Sequence, residues 1–294
     1  MNKTVIAWIL DFLTARPQYV KLDSGNGEIK SKTLMCSTGA PQGAVLSPFL
    51  FTIYTNSCKL SNKKDLHLIK FADDTSLQGM IHEDESSYRD AVIEFTSWCR
   101  DNFLILNVKK TKELIIDFRK NSAPKTQLQI EGEDVEIVTS YKYLGVTIDH
   151  KLTWNNHAEK LVKNIHSRIY FLRKLNSFKV DHTMLSLFYK ATIQSVITFA
   201  IVCWGGNGNV EKKNRINSLI NKAKKICKAN DIFADFEMLH LLESQKKIMS
   251  IVKDKNHPLM SQIKFSVRSG KPVLVKTKCE RYRKSFLPYA MKLL

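Results

Sequence analysis

Asp73 and Asp74 are the residues best suited to chemistry in this sequence, two adjacent carboxylates between short apolar runs within residues 66–81. Runs that close together fit only a tight hairpin, which puts both carboxylates at its tip. Paired carboxylates beside apolar strands are costly unless a cation compensates them. Mg²⁺ is the natural one: it takes carboxylate oxygens together with substrate phosphates, and two such ions about 4 Å apart can clamp the attacking and leaving oxygens of a nucleotidyl transfer. Alone, the pair is weak evidence, because turns favour aspartate anyway. A second candidate lies upstream. In Ser37-Thr38-Gly39-Ala40-Pro41-Gln42-Gly43 the glycines and proline let a loop approach a nucleotide closely, and Gln42 offers an amide to a base or sugar.

Several elements must position these residues. Residues 5–13 read as the end of a helix that Arg16-Pro17 stops. Tyr19, Val20 and Leu22 approach a Gly25-Asn26-Gly27 turn and residues 29–35 return, as in an antiparallel hairpin. Ser47 as N-cap and Pro48 at the first helical position predict an apolar helix from Phe49 to about Cys58. After Asp84, the recurrence of Tyr88, Val92, Phe95, Cys99 and Phe103 marks one face of an amphipathic helix. Strands are predicted over 113–118, 128–130, 135–138 and 143–148. The expected fold class is therefore α+β, with a mainly antiparallel sheet in residues 1–150.

Beyond Trp154 the pattern turns helical. Leu161, Ile165, Ile169 and Leu172 line one helix. Leu185, Phe188, Thr192 and Val196 line a second, capped by Asp181 and ended near Gly205-Gly206. Further helices are predicted over 210–228 and 237–254. The resulting division is a first domain at 1–150, a basic helical region at 151–256, and a tail at 257–294 that is expected to be irregular. No internal repeat or low-complexity tract interrupts it.

With 294 residues, 44% of them hydrophobic, the chain is long enough for two compact units, and its composition excludes disordered and collagen-like classes. The net charge is +18, and its distribution is uneven. Residues 1–150 hold 18 Lys+Arg and 19 Asp+Glu, whereas residues 151–294 hold 28 and 9. A near-neutral first half suits site chemistry, and a basic second half suits a phosphate backbone. The six cysteines form no C-x-x-C pair, which points to neither a zinc knuckle nor a disulfide framework, and fits a reducing compartment, cytoplasmic or nuclear, without secretion. The N-terminal stretch lacks a signal-peptide cleavage site. Residues 191–204, the longest apolar run, include Gln194 and fall short of the roughly 18–20 residues of a membrane span. They read as a buried helix, with no membrane partner.

Phe71-Ala72-Asp73-Asp74 resembles the (Y/F)-x-D-D hairpin of reverse transcriptases, and residues 39–48 resemble their G-x-P-Q-G-x-x-x-S-P signature. Residues 106–112 (Leu-Asn-Val-Lys-Lys-Thr-Lys) are similar to the next palm element, with Lys110 best matching the lysine near the incoming triphosphate. Tyr143-Leu144-Gly145 resembles the Y-L-G strand that supports the primer end. Trp154, His157, the Phe171-Leu172-Arg173-Lys174-Leu175 run, Cys203-Trp204-Gly205 and His257-Pro258-Leu259 extend the similarity over essentially the whole chain, to LINE-type (non-LTR) retrotransposon proteins. The resemblance implies the C-terminal part of such a reverse transcriptase, an incomplete polymerase palm followed by a helical thumb-like domain. It implies Mg²⁺ at Asp73 and Asp74, substrate contacts from Gly39, Pro41, Gln42, Gly43 and Lys110, and primer support from Tyr143, Leu144 and Gly145. RNA template and DNA primer are the implied partners, and no small-molecule cofactor is expected. The family also carries a first catalytic aspartate upstream of the elements at 5–35, which these residues do not include, and Asp11 and Asp23 are poor substitutes. A two-ion clamp short of one bridging ligand loses roughly 10³-fold or more in rate, so little polymerase activity is expected.

Two rivals stand beside this reading. The first is a non-enzymatic nucleic-acid-binding remnant. Arg168, Arg173 and Lys174 with Tyr170 and Phe171, then Lys222, Lys224, Lys225 and Lys228, then the basic run from Lys276 to Lys284, have the charge and rings to neutralise phosphates and stack bases. A solvated helix face is the plain alternative for each cluster. The second is an iron/2-oxoglutarate dioxygenase, because His82-Glu83-Asp84 matches H-x-D and residues 151–180 resemble a segment at the N-terminus of an AlkB-type enzyme. No placed second histidine or arginine accompanies that motif.

Overall fold

The computed structural model describes every residue except 1, 24, 26, 62–64, 82–83, 120–125, 229–232 and 275. The chain forms two compact units, one comprising Met1–Lys110 and Leu128–Asp134, the other Thr111–Gln127 and Val135–Leu294. Compactness thus divides the chain near residue 110, whereas the charge changes near 150. It is an α+β chain, and among the described residues its strands pair in six separate two-stranded ladders.

In the first unit, helix α1 (Lys3–Leu13) is capped by Asn2, whose side chain accepts from the Thr4 amide at 2.9 Å. Four short strands follow: β1 (Arg16–Gln18), β2 (Lys21–Asp23), β3 (Glu28–Lys30) and β4 (Leu34–Cys36). β2 pairs with β3 and β1 with β4, so the expected hairpin is present as two nested antiparallel ladders. Helix α2 (Leu46–Thr55) starts earlier than expected. Ser47 does not cap it, because its hydroxyl donates to the Pro41 carbonyl at 2.5 Å instead. Strands β5 (Leu66–Phe71) and β6 (Asp74–Gly79) form the predicted hairpin, and α3 (Ser86–Asp101) the predicted amphipathic helix. Leu60, Leu66 and Ala91 are buried together there, with Leu68, Leu77 and Tyr88 packed against them.

The region between 111 and 150 departs most from the sequence reading. Of the strand expected at 113–118, only β7 (Lys112–Glu113) is seen to pair among the described residues. Asp117 explains the break: its carboxylate accepts from the Arg119 amide at 2.9 Å and pairs with the guanidinium at 2.7 Å, a local arrangement that competes with a ladder. β8 (Gln129–Ile130) and β9 (Glu133–Asp134) form a small hairpin belonging to the first unit. β10 (Glu136–Ile137) pairs with β7 in parallel, whereas the other ladders among the described residues are antiparallel, as the mainly antiparallel expectation had it. β11 (Ser140–Tyr143) and β12 (Val146–Asp149) close another hairpin, so the single strand expected at 143–148 is in fact a turn and its flanks.

Asp149 joins this hairpin to the helices. Its buried carboxylate accepts from the amides of Lys151, Thr153 and Trp154, which hold left-handed residues at Leu152 and Trp154. Burial pushes that carboxyl up, but the hydrogen bonds from Thr153, Trp154 and Lys151 outweigh it and keep it below the usual range. Helix α4 (Asn155–Ser177) follows, buried along Leu161, Ile165, Ile169 and Leu172 as the spacing predicts. Helix α5 (His182–Phe188), capped by Asp181 as expected, passes through a π-helical segment (Tyr189–Gln194) into α6 (Ser195–Thr198). The chain then turns at left-handed Ala200, short of the glycines where an end was expected, into α7 (Ile201–Trp204).

Helices α8 (Val210–Cys227) and α9 (Phe236–Lys253) match the predicted spans closely. Tyr189, Ile193, Ile197, Ile201 and Trp204 are almost wholly buried with α4, α8 and the start of α9, so residues 191–204 lie in a core. Among the described residues no helix is long and apolar enough to cross a membrane. The tail is more ordered than its prolines suggested, with a 3-10 turn at Pro258–Gln262, α10 (Glu280–Arg283) and α11 (Phe286–Ala290). Ala290 and Met291 bury against Ile248, Ile251 and Ile263. A side chain at Gly206 would come within 2.0 Å of the Lys284 carbonyl, so the small residues after Trp204 are needed for the tail's close approach.

Candidate active site and nucleic-acid interface

The carboxylate pair sits where the sequence placed it. The β5–β6 register runs from Leu66 opposite Gly79 to Phe71 opposite Asp74, which leaves Ala72 and Asp73 as a two-residue turn. Ala72 has φ 51°, the left-handed sign required at this position by the tight turns that suit hairpins. A Cβ there costs about 1–2 kcal/mol, a strain held at the point of interest. Asp73 and Asp74 are exposed, and among the described residues neither carboxylate makes a hydrogen bond or ion pair. The nearby Lys70 does not neutralise them: its ammonium donates to the carbonyls of Thr55 and Cys58, tying the end of α2 to β5.

The donor chemistry suits Mg²⁺ in part. Mg²⁺ is commonly held by one or two carboxylates with waters and substrate phosphates, which two exposed carboxylates can supply. Among the described residues, however, no group of three or more His, Cys, Asp or Glu is arranged to hold a metal. Asp11 lies in α1 and Asp23 ends β2.

Upstream, the loop 37–43 is fixed by a residue the sequence reading took only as a helix stop. The Arg16 guanidinium donates to the carbonyls of Thr38 at 2.6 Å and Gly39 at 3.1 Å, and Ser47 holds the Pro41 carbonyl from the other end. An arginine beside a proline gave no sequence signal for this role, because the contact spans 22 positions or more. Gly39 (φ 66°) and Gly43 (φ 82°) adopt left-handed backbone with open space where a side chain would be. Gln42 is exposed. Lys110 closes a 3-10 turn, its amide donating to the Asn107 carbonyl and side chain at 3.1 Å each, and its own side chain is exposed. Loop, hairpin tip and Lys110 belong to the first unit, and among the described residues no hydrogen bond or ion pair links them to one another.

Tyr143, Leu144 and Gly145 lie in the second unit, at the β11–β12 turn. Leu144 (φ 44°) and Gly145 (φ 88°) are both left-handed, the backbone of a type I′ turn. The Tyr143 hydroxyl is buried without a hydrogen-bond partner among the described residues, and a Cβ on Gly145 would lie 3.0 Å from the Phe199 ring.

The basic residues divide by role. Arg168 is half-buried and donates to the Thr192 carbonyl in the π-helical segment, which makes it a tie between helices as well as a charge. Arg173 and Lys174 are exposed on α4, and the Lys174 ammonium lies 5.9 Å from the Phe178 ring centre. Lys222 and Lys225 are exposed on α8, and Lys224 is half-buried. His82 and Glu83 of the H-x-D motif lie outside the described residues. All six cysteines are free thiols.

A hairpin tipped by two carboxylates follows a glycine-rich loop in the chain, and a family comparison gives the class its name. The profile for reverse transcriptase (RNA-dependent DNA polymerase) matches residues 2–148, half of the chain, and the chain belongs to that family. It is 25% identical over 198 residues to the probable RNA-directed DNA polymerase from transposon BS of Drosophila melanogaster, covering 64% of this chain and 22% of that protein. To the RNA-directed DNA polymerase from mobile element jockey of the same fly it is 24% identical over 206 residues, covering 67% and 22%. To the probable polymerase from transposon X-element the identity is 24% over 213 residues, covering 69% and 23%. These similarities bear out the LINE-type, non-LTR resemblance. The chain spans less than a quarter of the length of these curated relatives. A second profile, alkylated DNA repair protein alkB homolog 8, N-terminal, matches residues 154–195, overlapping the segment where the sequence showed that similarity. No solved structure matches the chain.

Proposed function

We propose that this chain supplies part of the palm and the thumb-like region of a LINE-type reverse transcriptase, acting on an RNA template and a DNA primer. The observation that carries the reading is the exposed Asp73-Asp74 pair on a strained two-residue turn, preceded in the chain by the Arg16-braced loop. In this reading Asp73 and Asp74 would hold Mg²⁺, which when bound supplies charge to the phosphoryl oxygens of an incoming nucleotide. Gly39, Pro41, Gln42 and Gly43 shape the nucleotide pocket, Lys110 meets the triphosphate, and the Tyr143-Leu144-Gly145 turn supports the primer end. Arg173, Lys174, Lys222, Lys224 and Lys225 neutralise backbone phosphates, with Arg168 bracing their helix. The free thiols fit work in a reducing compartment.

Primer extension on an RNA template with Mg²⁺ tests the catalytic part. Because the described residues bring no third carboxylate to Asp73 and Asp74, the 294 residues alone are expected to give roughly 10³-fold less incorporation than a complete site. Robust incorporation that Asp73→Ala abolishes would show the two carboxylates to be sufficient in this setting. The same preparation checks the alternative of a non-enzymatic binder, which the charge of residues 151–294 favours. Nucleic-acid affinity is expected to fall steeply with added salt, and absent binding would remove both readings.

A further inference from the structure

The second unit contains a cleft of about 560 Å³ between α4 and the π-helical segment. Phe171, Phe188, Val196 and Phe199 line it, together with Arg168 and Thr192. Phe171 and Phe199 are each more than half exposed, at the edge of a filled core. The wider π winding displaces amide partners by one residue, and the Arg168 guanidinium takes the Thr192 carbonyl. That bond fixes a planar cation among the aromatic walls. Phe199 is also the ring against which the Gly145 turn packs, so the cleft adjoins the turn assigned above to the primer end.

Charge decides what such a cleft would take. Among the described residues no acidic residue lines it, and the sequence between residues 160 and 210 holds seven Lys or Arg and a single acidic residue, Asp181. Lys174 lies one turn beyond Phe171 on α4, and Lys190 adjoins the lining Ala191. An apolar peptide gains nothing from that surround, whereas a nucleic-acid strand offers flat rings for the walls and phosphates for the lysines. We infer that this cleft receives an unpaired nucleobase of a bound strand, stacked on Phe171 and Phe199, with flanking phosphates held by Lys174 and Lys190. The inference rests on the nucleic-acid reading of the helical unit and adds a base-dependent contact to a backbone-dependent one. Stacking of this kind tolerates any base, so it grips an unpaired strand without selecting its sequence.

The test uses the full chain and two labelled single-stranded oligonucleotides of equal length and charge, one with bases and one abasic throughout. Fluorescence anisotropy is expected to show the base-bearing strand bound about five- to a hundredfold more tightly. The double variant Phe171→Leu with Phe199→Leu keeps apolar bulk and should erase that preference while leaving the salt dependence unchanged. Phe171→Tyr with Phe199→Tyr should retain the preference, which guards against a mere folding defect. Lys174→Ala with Lys190→Ala should weaken both strands alike and flatten the salt dependence. Equal affinity for the two strands, or a preference that survives the leucine variant, overturns the base pocket while leaving backbone binding intact. Loss of all binding overturns the function proposed above as well. A sedimentation change on leucine substitution without nucleic acid assigns the cleft to a second copy of the chain, which also overturns it.

Discussion

The two units organise apolar residues in opposite ways. In the second, α4 to α9 enclose a continuous core in which Trp204, Tyr189, Ile165 and Ile220 are all but fully buried. In the first, the described residues bury a small cluster around Leu66, while α1 has no buried residue and Trp8, Leu10, Leu34 and Phe71 remain more than half exposed. The contrast shows two sources of order. The helical unit is held by long-range packing, whereas the hairpin unit owes its shape to turns, strand registers and a few side-chain ties such as Arg16 and Lys70, each worth little alone.

Core deletions break this comparison most sharply. Trp204 packs on His157 and Phe236 and donates its indole N–H to the Phe199 carbonyl, so Trp204→Ala is expected to destabilise the helical unit by about 3–5 kcal/mol. Leu66→Ala should cost about 2 kcal/mol, the low end for such truncations, because its cluster is small. Denaturant unfolding of both variants checks the order. A larger loss at Leu66 would mean that the hairpin unit holds a core as demanding as the helical one.

Acid should separate the units next. His240 is buried against Gly205 and stacked on Tyr289, and burial, with Lys213 adding to it, pushes its pKa down to about 4. The unfolded chain takes up that proton near pH 6.5 and the folded one refuses it, so this contribution is complete above pH 6.5 and is lost as pH falls toward 4. His157 acts in the same direction, since burial, and then Lys160, lower it and its Nδ1 accepts from the Thr147 amide. Between pH 7 and pH 5 the helical unit should lose roughly 2 kcal/mol through His240. His240→Gln should flatten the curve, and an unchanged slope would locate the acid sensitivity elsewhere.

The smallest effects compare the two hairpin tips. Ala72 and Leu144 each hold a left-handed backbone that their side chains disfavour. Ala72→Gly and Leu144→Asn should each stabilise the chain by about 0.5–1 kcal/mol, measured as a shift in denaturant midpoint. A gain at Leu144 and none at Ala72 would mean that strain at the carboxylate tip is relieved by neighbours rather than stored.

Much of the site was legible because its geometry is local. Asp73 and Asp74 had to share a hairpin tip once two apolar runs lay so close together, and the glycines of loop 37–43 were marked by a backbone only they adopt without strain. Helices α4, α8 and α9 announced themselves through apolar spacing, since one buried stripe repeats with every turn. The failures were of another kind. Strand 113–118 gave way to the Asp117–Arg119 pair, the strand at 143–148 to a left-handed turn, and the cap expected of Ser47 to a bond with Pro41.

The sequence by itself determined the order of the motifs, the hairpin that carries the carboxylates, the amphipathic helices and the uneven charge, because each follows from neighbours a few residues apart. Only the tertiary structure decided that Arg16 braces the loop, that Arg168 fills a carbonyl of the π-helical segment, and that Phe199 bridges the Gly145 turn and the cleft. Those contacts join residues 22 to 54 positions apart. Hydrogen-bond donors and rings of this kind have many acceptable partners along a chain, and packing alone selects among them.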